Sequence, residues 1–351
     1  MNIVKIQEQL DENRRSVAFD SYDITVKQLY DMVLEGMIDI APEYQRHFVW
    51  DVNRQSALIE SLLLGIPIPS LFMATNKDSS WEVIDGLQRL TTILNFIGDE
   101  EDLSKTGISH KKLKLSGLEK LDSMNGVIYK ELPMSMQFML QTRPLRITVL
   151  NDRSDFNVRY DLFERLNTGG VTLHEQEIRN CVFTGEFNDF IKELSQNSHF
   201  QSVVKMTAAA ERSGSYEELV LRFFAYYEDG ENFVHSVKGF LNDFMQKKTK
   251  SFKNKKTYKN LFNKTFESLD EYLPDGIVRG VRKNITPVVL YEAISVGTAK
   301  ALESGQAVDL TKLTVLLNDV ELKKCTTGAT NSKKMVLKRI SLVKDVLTDA
   351  V

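Results

Sequence analysis

The alternation of apolar and polar positions predicts a strand–turn–helix unit near the end of the first quarter of the chain. Leu90, Ile93, Leu94 and Ile97 recur at i, i+3, i+4 and i+7, one apolar helix face, and Gly98 stands where a C′ residue belongs. Val83 and Ile84 just ahead read as the end of a buried strand. A second helix is predicted over 52–64, with Leu58, Ile59, Leu62 and Leu63 as its buried face, Asp51 as N-cap, and Gly65 and Pro67 beyond its end. Residues 37–41 read as a short strand, and 68–74 and 81–84 as a hairpin around the polar loop 76–80. Residues 99–130 are charged and weakly periodic, an excursion with short elements. Residues 145–150 give a clear strand. Asp155 opens a helix whose Phe156, Tyr160, Phe163 and Leu166 share a face, Asn167-Thr168-Gly169-Gly170 ends it, and a further helix covers about 173–182.

After residue 186 the period is helical. Segments 217–227, 233–246, 258–273, 288–301, 310–322 and 332–347 all read as helices, and strand patterns are scarce. The expected class is α+β: an N-terminal mixed α/β domain over 1–185 followed by an all-α domain over 186–351. The boundary is placed within 184–215, which ends at Arg212-Ser213-Gly214-Ser215.

Composition narrows the function classes. The chain of 351 residues is long enough for two domains, and 42% apolar residues supply two cores. A net charge of −3 gives no global basic signature, so any nucleic-acid contact must come from a local patch. No apolar run approaches the ~20 residues of a membrane span, and the N-terminus lacks a signal-peptide core, so a cytoplasmic protein without membrane contact is expected. Cys181 and Cys325 are isolated, and the histidines at 47, 110, 174, 199 and 235 never fall at metal-ligand spacing. Neither a Walker-type nor a dinucleotide-binding glycine motif occurs.

Three polar clusters lie at the edges of predicted elements. The turn Asp85-Gly86-Leu87-Gln88-Arg89 puts an acid, a glycine, an amide and a guanidinium at a helix N-terminus, where backbone N–H groups and a partial positive charge attract anions. Gly86 permits close backbone approach and Arg89 offers bidentate contact to phosphate. Asp-Gly is equally a common turn dipeptide. Tyr44-Gln45-Arg46-His47-Phe48-Val49-Trp50 combines aromatic faces with a guanidinium, suited to stacking on a base beside a phosphate, or to completing a core. The third cluster runs from Phe163 to Gly170 and on through Glu177-Ile178-Arg179-Asn180; alone, its Asn-Thr-Gly-Gly is a helix end and loop.

In the second half, eight lysines lie between Lys247 and Lys264, with no Asp or Glu from 244 to 266 and with Phe252, Tyr258 and Phe262 interleaved. Such a run either contacts DNA phosphates and bases or is a solvated loop. Phe223, Phe224, Tyr226 and Tyr227 read as helix core.

Taken in order, these segments carry a family resemblance. Ala41 to Trp50, then Leu58-Ile59-Glu60-Ser61-Leu62-Leu63-Leu64-Gly65-Ile66-Pro67-Ile68-Pro69, then Ile84 to Thr92, then Phe163 to Gly170 with Glu177 to Asn180, resemble the GmrSD restriction-endonuclease N-terminal-domain family. One departure is Leu87, where that family usually has Gln. The resemblance spans roughly 20–182. It implies a ParB/sulfiredoxin-like nucleotide-binding fold in which Gly86 and Arg89 cradle phosphates and Asp85 and Gln88 position magnesium, water or phosphate.

The resemblance also implies work in prokaryotic defence against foreign or modified DNA, with nucleoside-triphosphate hydrolysis associated with the turn. Tyr44, Gln45, Arg46 and Arg165 are further nucleotide contacts, and Asn167 and Glu177 are placed by motif match. Many relatives carry an HNH nuclease domain; His199 and His235 are not in such a setting, so a stand-alone member is expected, with any nuclease in a separate subunit. The expected function is an NTP-hydrolysing sensor module using NTP and Mg, with Asp85 as metal ligand. The alternatives are a metal-dependent DNA nuclease built on Asp85, Gln88 and Arg89, and a non-catalytic DNA or protein adaptor.

Overall fold

The computed structural model describes residues 3–7, 19–40, 50–76, 78–104, 112–151, 156–166, 174–234, 236–280 and 283–349. The chain divides into two compact units, Met1–Thr172 and Leu173–Val351. That division precedes the 185/186 point read from composition. The stretch 184–215, read as a boundary region, contains helices Glu186–Ser195, Ser198–Val203 and Ala208–Arg212.

The first unit is built on one mixed five-stranded sheet. Strands β1 (Phe19–Thr25), β2 (Ile38–Asp39), β3 (Leu71–Thr75), β4 (Trp81–Asp85) and β5 (Pro144–Leu150) lie in the order β1-β5-β3-β4-β2. The β1/β5 and β3/β4 pairs are antiparallel, and the β3/β5 and β2/β4 pairs parallel. Period-two alternation sends Ile24, Leu71, Met73, Val83, Leu145, Ile147 and Val149 into one core. That core also takes the apolar stripes of α1 (Val26–Leu34), α2 (Val52–Leu64) and α3 (Leu87–Ile97). Glu82 and Ile84 alternate with these residues on β4, against which α4 (Phe156–Leu166) packs with Tyr160 and Phe163 buried.

Helix α2 spans the predicted 52–64. Asp51 Oδ1 accepts from the Arg54 amide at 2.8 Å, and Gly65 closes the helix in the left-handed conformation at φ 75°. The excursion after α3 is fastened to α2: Glu60 Oε1 accepts from the amides of Lys120 and Leu121, and Ser56 Oγ from that of Ser116.

The second unit is helical throughout its regular elements. It includes α5 (Glu175–Val182), α6 (Ser215–Asp229), α7 (Val237–Lys250), α8 (Lys255–Tyr272), α9 (Val288–Leu302) and α10 (Lys333–Leu347). The predicted helix over 310–322 is broken into Leu310–Lys312, Leu313–Leu316 and Val320–Thr326, with Asp319 capping the last piece. Phe223 and Phe224 are fully buried and meet Phe262 and Phe266, so the aromatic stripe is core as expected. Through this core runs a chain of ion pairs: Arg179–Glu218 at 3.1 Å, Glu218–Arg222 at 2.7 Å, Arg222–Glu292 at 2.7 Å, and Glu292–Arg339. Burial pushes the Glu218 carboxyl up, but Arg222 and Arg179 together bring it below its ordinary pKa.

Candidate functional site

Strand β4 ends at Asp85, Gly86 turns the chain, and α3 begins at Leu87. Gly86 has φ +102°, and a Cβ there would lie 2.2 Å from Leu71 Cδ2, so both backbone conformation and space demand glycine. The partner strand carries a register shift between Phe72 and Met73, opposite Asp85 and Val83. As N-cap of α3, Gly86 offers no capping side chain. The first-turn amides of Leu87, Gln88 and Arg89 therefore face the turn under the positive end of the helix dipole.

Arg89 folds back instead of extending. Its Nη1 donates to the carbonyls of Pro69 at 2.6 Å and Ser70 at 3.1 Å, and its Nη2 to Asp85 Oδ2 at 2.6 Å. Its side chain is only 11% exposed, whereas the Asp85 carboxylate is 32% exposed. The guanidinium thus braces the turn against the segment leading into β3. Leu87 is half-buried and packs against the core of the sheet.

Gln88 brings a second cluster to the turn. Its Oε1 accepts from the backbone N–H of Trp50 at 3.2 Å, and the Trp50 carbonyl accepts from Gln55 Nε2 at 2.9 Å. The exposed Arg54 guanidinium lies 4.7 Å from the centroid of the Trp50 ring. The Trp50 end of the 44–50 cluster is therefore fixed to the turn. Tyr44, Gln45, Arg46 and Asn167 lie outside the described residues. Arg165 is exposed in the last turn of α4. Glu177 belongs to the second unit, where its Oε2 accepts from the His174 amide at 2.7 Å as part of a helix cap. Arg179, from the same motif, is fully buried and holds Glu175, Gln176, Glu218 and Asn242.

Sequence reasoning missed two arrangements. One is Arg54 on Trp50, four residues apart at the start of a helix, a spacing that the N-cap at Asp51 makes legible in hindsight. The other is the ion pair of Glu82 on β4 with Arg159 on α4, at 3.3 Å, both side chains about one-tenth exposed. Burial pushes the Glu82 carboxyl up to about 7, with Asp39 adding to it and Arg159 opposing. Nothing local to either segment announces that pairing.

The lysine run is largely answered by carboxylates from other helices. Lys247 pairs with Asp229, Lys248 with Glu228, Lys255 and Lys259 with Glu193, and Lys264 with Glu303. Lys250, Lys253 and Lys256 are left without an ion pair among the described residues. Phe262 is core, Phe252 packs on Phe187 and Phe190, and Tyr258 hydrogen-bonds Glu228. Among the described residues no group of three His, Cys, Asp or Glu side chains could hold a metal ion, and no helix is long and apolar enough to cross a membrane.

The first unit is thus a mixed α/β domain whose strand–turn–helix unit is held by the contacts of Arg89 and Gln88. Residues 26–184 match the family described as GmrSD restriction endonuclease, N-terminal domain. No curated protein matches the chain at a significant level.

Proposed function

We propose that the chain is a nucleotide-binding, NTP-hydrolysing sensor module of a restriction or anti-phage system that acts on DNA. The supporting observation is the turn itself: an obligatory glycine at φ +102°, a helix N-terminus without a capping side chain, and a partly exposed carboxylate beside it. Phosphate oxygens take the amides of Leu87, Gln88 and Arg89. Gly86 clears their approach, and Arg89 adds positive charge while holding the turn in shape. Asp85 is the single carboxylate within the segment 85–89; it fits magnesium, which ordinarily takes one or two protein carboxylates and fills its remaining positions with phosphate oxygens and water. Tyr44, Gln45, Arg46, Arg165 and Asn167 are nucleotide contacts by motif match to the family, whereas Glu177 caps its own helix in the second unit. DNA contact through the lysine run rests on Lys250, Lys253 and Lys256.

The Asp85–Arg89 ion pair favours a second reading, a clamp that binds the nucleotide without turnover. Incubating the protein with each of the four NTPs and magnesium, with and without DNA, and measuring released phosphate separates the two. Turnover abolished by Asp85→Ala is the expected result. Binding without turnover selects the clamp, and absence of both binding and turnover removes the nucleotide reading.

A further inference from the structure

Two arginines are connected to the turn, Arg89 directly and Arg54 through Trp50, and their surroundings differ. Both Nη1 hydrogens of Arg89 point to carbonyls, and its Nη2 is bonded to Asp85. Swinging this side chain to an incoming phosphate would strip the carbonyls of Pro69 and Ser70 of their donor and leave the Asp85 carboxylate unpaired. Arg54 has no such ties. It is exposed, it has no ion pair among the described residues, and the indole of Trp50 supports its guanidinium at 4.7 Å. A guanidinium held over an aromatic face keeps N–H donors free for phosphate oxygens. The ring beneath it belongs to the residue whose amide is bonded to Gln88, in the first turn of α3.

Resting on the nucleotide reading above, we propose that Arg54, carried on Trp50, is the guanidinium that contacts the bound nucleotide's phosphates, and that Arg89 is a positioning residue. The arrangement divides two needs that one side chain meets poorly. The turn is kept rigid by a nearly buried arginine, and the ligand is met by one that is solvated and already oriented, so little ordering entropy is lost on binding.

The test is titration of ATP and magnesium into the full chain by calorimetry at two salt concentrations. It compares the unmodified protein with Arg54→Ala, Arg54→Lys and Arg89→Lys, with melting temperatures taken before ligand is added. Arg54→Ala is expected to weaken ATP binding roughly tenfold or more at an unchanged melting temperature, and to reduce the salt dependence of Kd. Arg54→Lys restores part of the affinity, because the charge returns without the planar fork. Arg89→Lys lowers the melting temperature and weakens binding while keeping the salt dependence. ATP affinity unchanged in Arg54→Ala overturns the proposal, as does a loss confined to short duplex DNA in a parallel titration. If the unmodified chain binds none of the nucleotides, the underlying reading fails and this inference falls with it.

Discussion

Arginine is buried in both units, but in different company. In the helical unit Arg179, Arg222 and Arg339 alternate with Glu218 and Glu292 along a line that crosses α5, α6, α9 and α10, each guanidinium facing at least one carboxylate. In the sheet unit Arg89 faces one carboxylate and two backbone carbonyls, next to a helix start that no side chain of its N-cap residue closes. The first arrangement is electrically closed and welds helices together. The second fixes the shape of a turn at a helix start. Buried charge therefore joins helices in one half and braces a turn in the other, and the difference is read from what each guanidinium touches.

The comparison breaks most visibly at Glu292. Glu292→Leu removes the carboxylate between Arg222 and Arg339 and leaves two buried cations facing each other. Urea unfolding should show a loss of about 3–5 kcal/mol. A loss under about 1 kcal/mol would mean that the chain of charges is solvated and welds nothing.

Glu82 sharpens the contrast within the sheet unit. Its carboxyl sits near 7 when folded against an ordinary 4.5, so between those values the folded chain keeps a proton that the unfolded chain has lost. Stability must fall as pH rises across that window and level off above it, by up to about 3 kcal/mol in all. Unfolding curves measured at several pH values check this, and Glu82→Gln should flatten the slope. A slope unchanged by that substitution would assign it to other groups.

How much of this was legible beforehand depends on where each interaction is closed. Helix α2 was readable from end to end because its signals are local: Asp51, the Leu58–Leu63 stripe, and Gly65. The β3/β4 hairpin was visible in period-two alternation, and the turn at Gly86 in a single dipeptide. Strand β1 was not, because residues 19–23 are exposed on an edge strand and show no apolar alternation, and its partner β5 lies more than a hundred residues away. The ion pairs of the lysine run are hidden for a related reason. Its sequence lacks acids for more than twenty residues, yet Glu193, Glu228, Asp229 and Glu303 reach it from other helices. The residues of the turn were all named from sequence, but the inward fold of Arg89 depends on the carbonyls of Pro69 and Ser70, which no pattern within 85–89 contains.

Gly86→Ala probes the turn itself. An alanine at φ +102° against Leu71 costs on the order of 2 kcal/mol and narrows the approach to the amides, so both melting temperature and nucleotide affinity should fall. Full retention of both would show that the turn relaxes freely.

The smallest effect is expected on the surface of the helical unit. Lys253→Glu and Lys256→Glu should leave stability within about 0.5 kcal/mol. If DNA is bound there, each should lower the slope of log affinity against log salt by roughly 1. Alanine at Lys255 or Lys259, which already pair with Glu193, should change that slope less. The reverse order would mean that the ion pairs open on contact with DNA.

The central claim is that phosphate is received at the first turn of α3. Backbone amide spectra of isotope-labelled protein, recorded during titration with ATP and magnesium, test it most directly. The account predicts saturable shifts of the Gly86, Leu87, Gln88 and Arg89 amides, with the Trp50 amide following through its bond to Gln88. Saturable shifts confined to other parts of the chain, with these five amides unmoved, would contradict it.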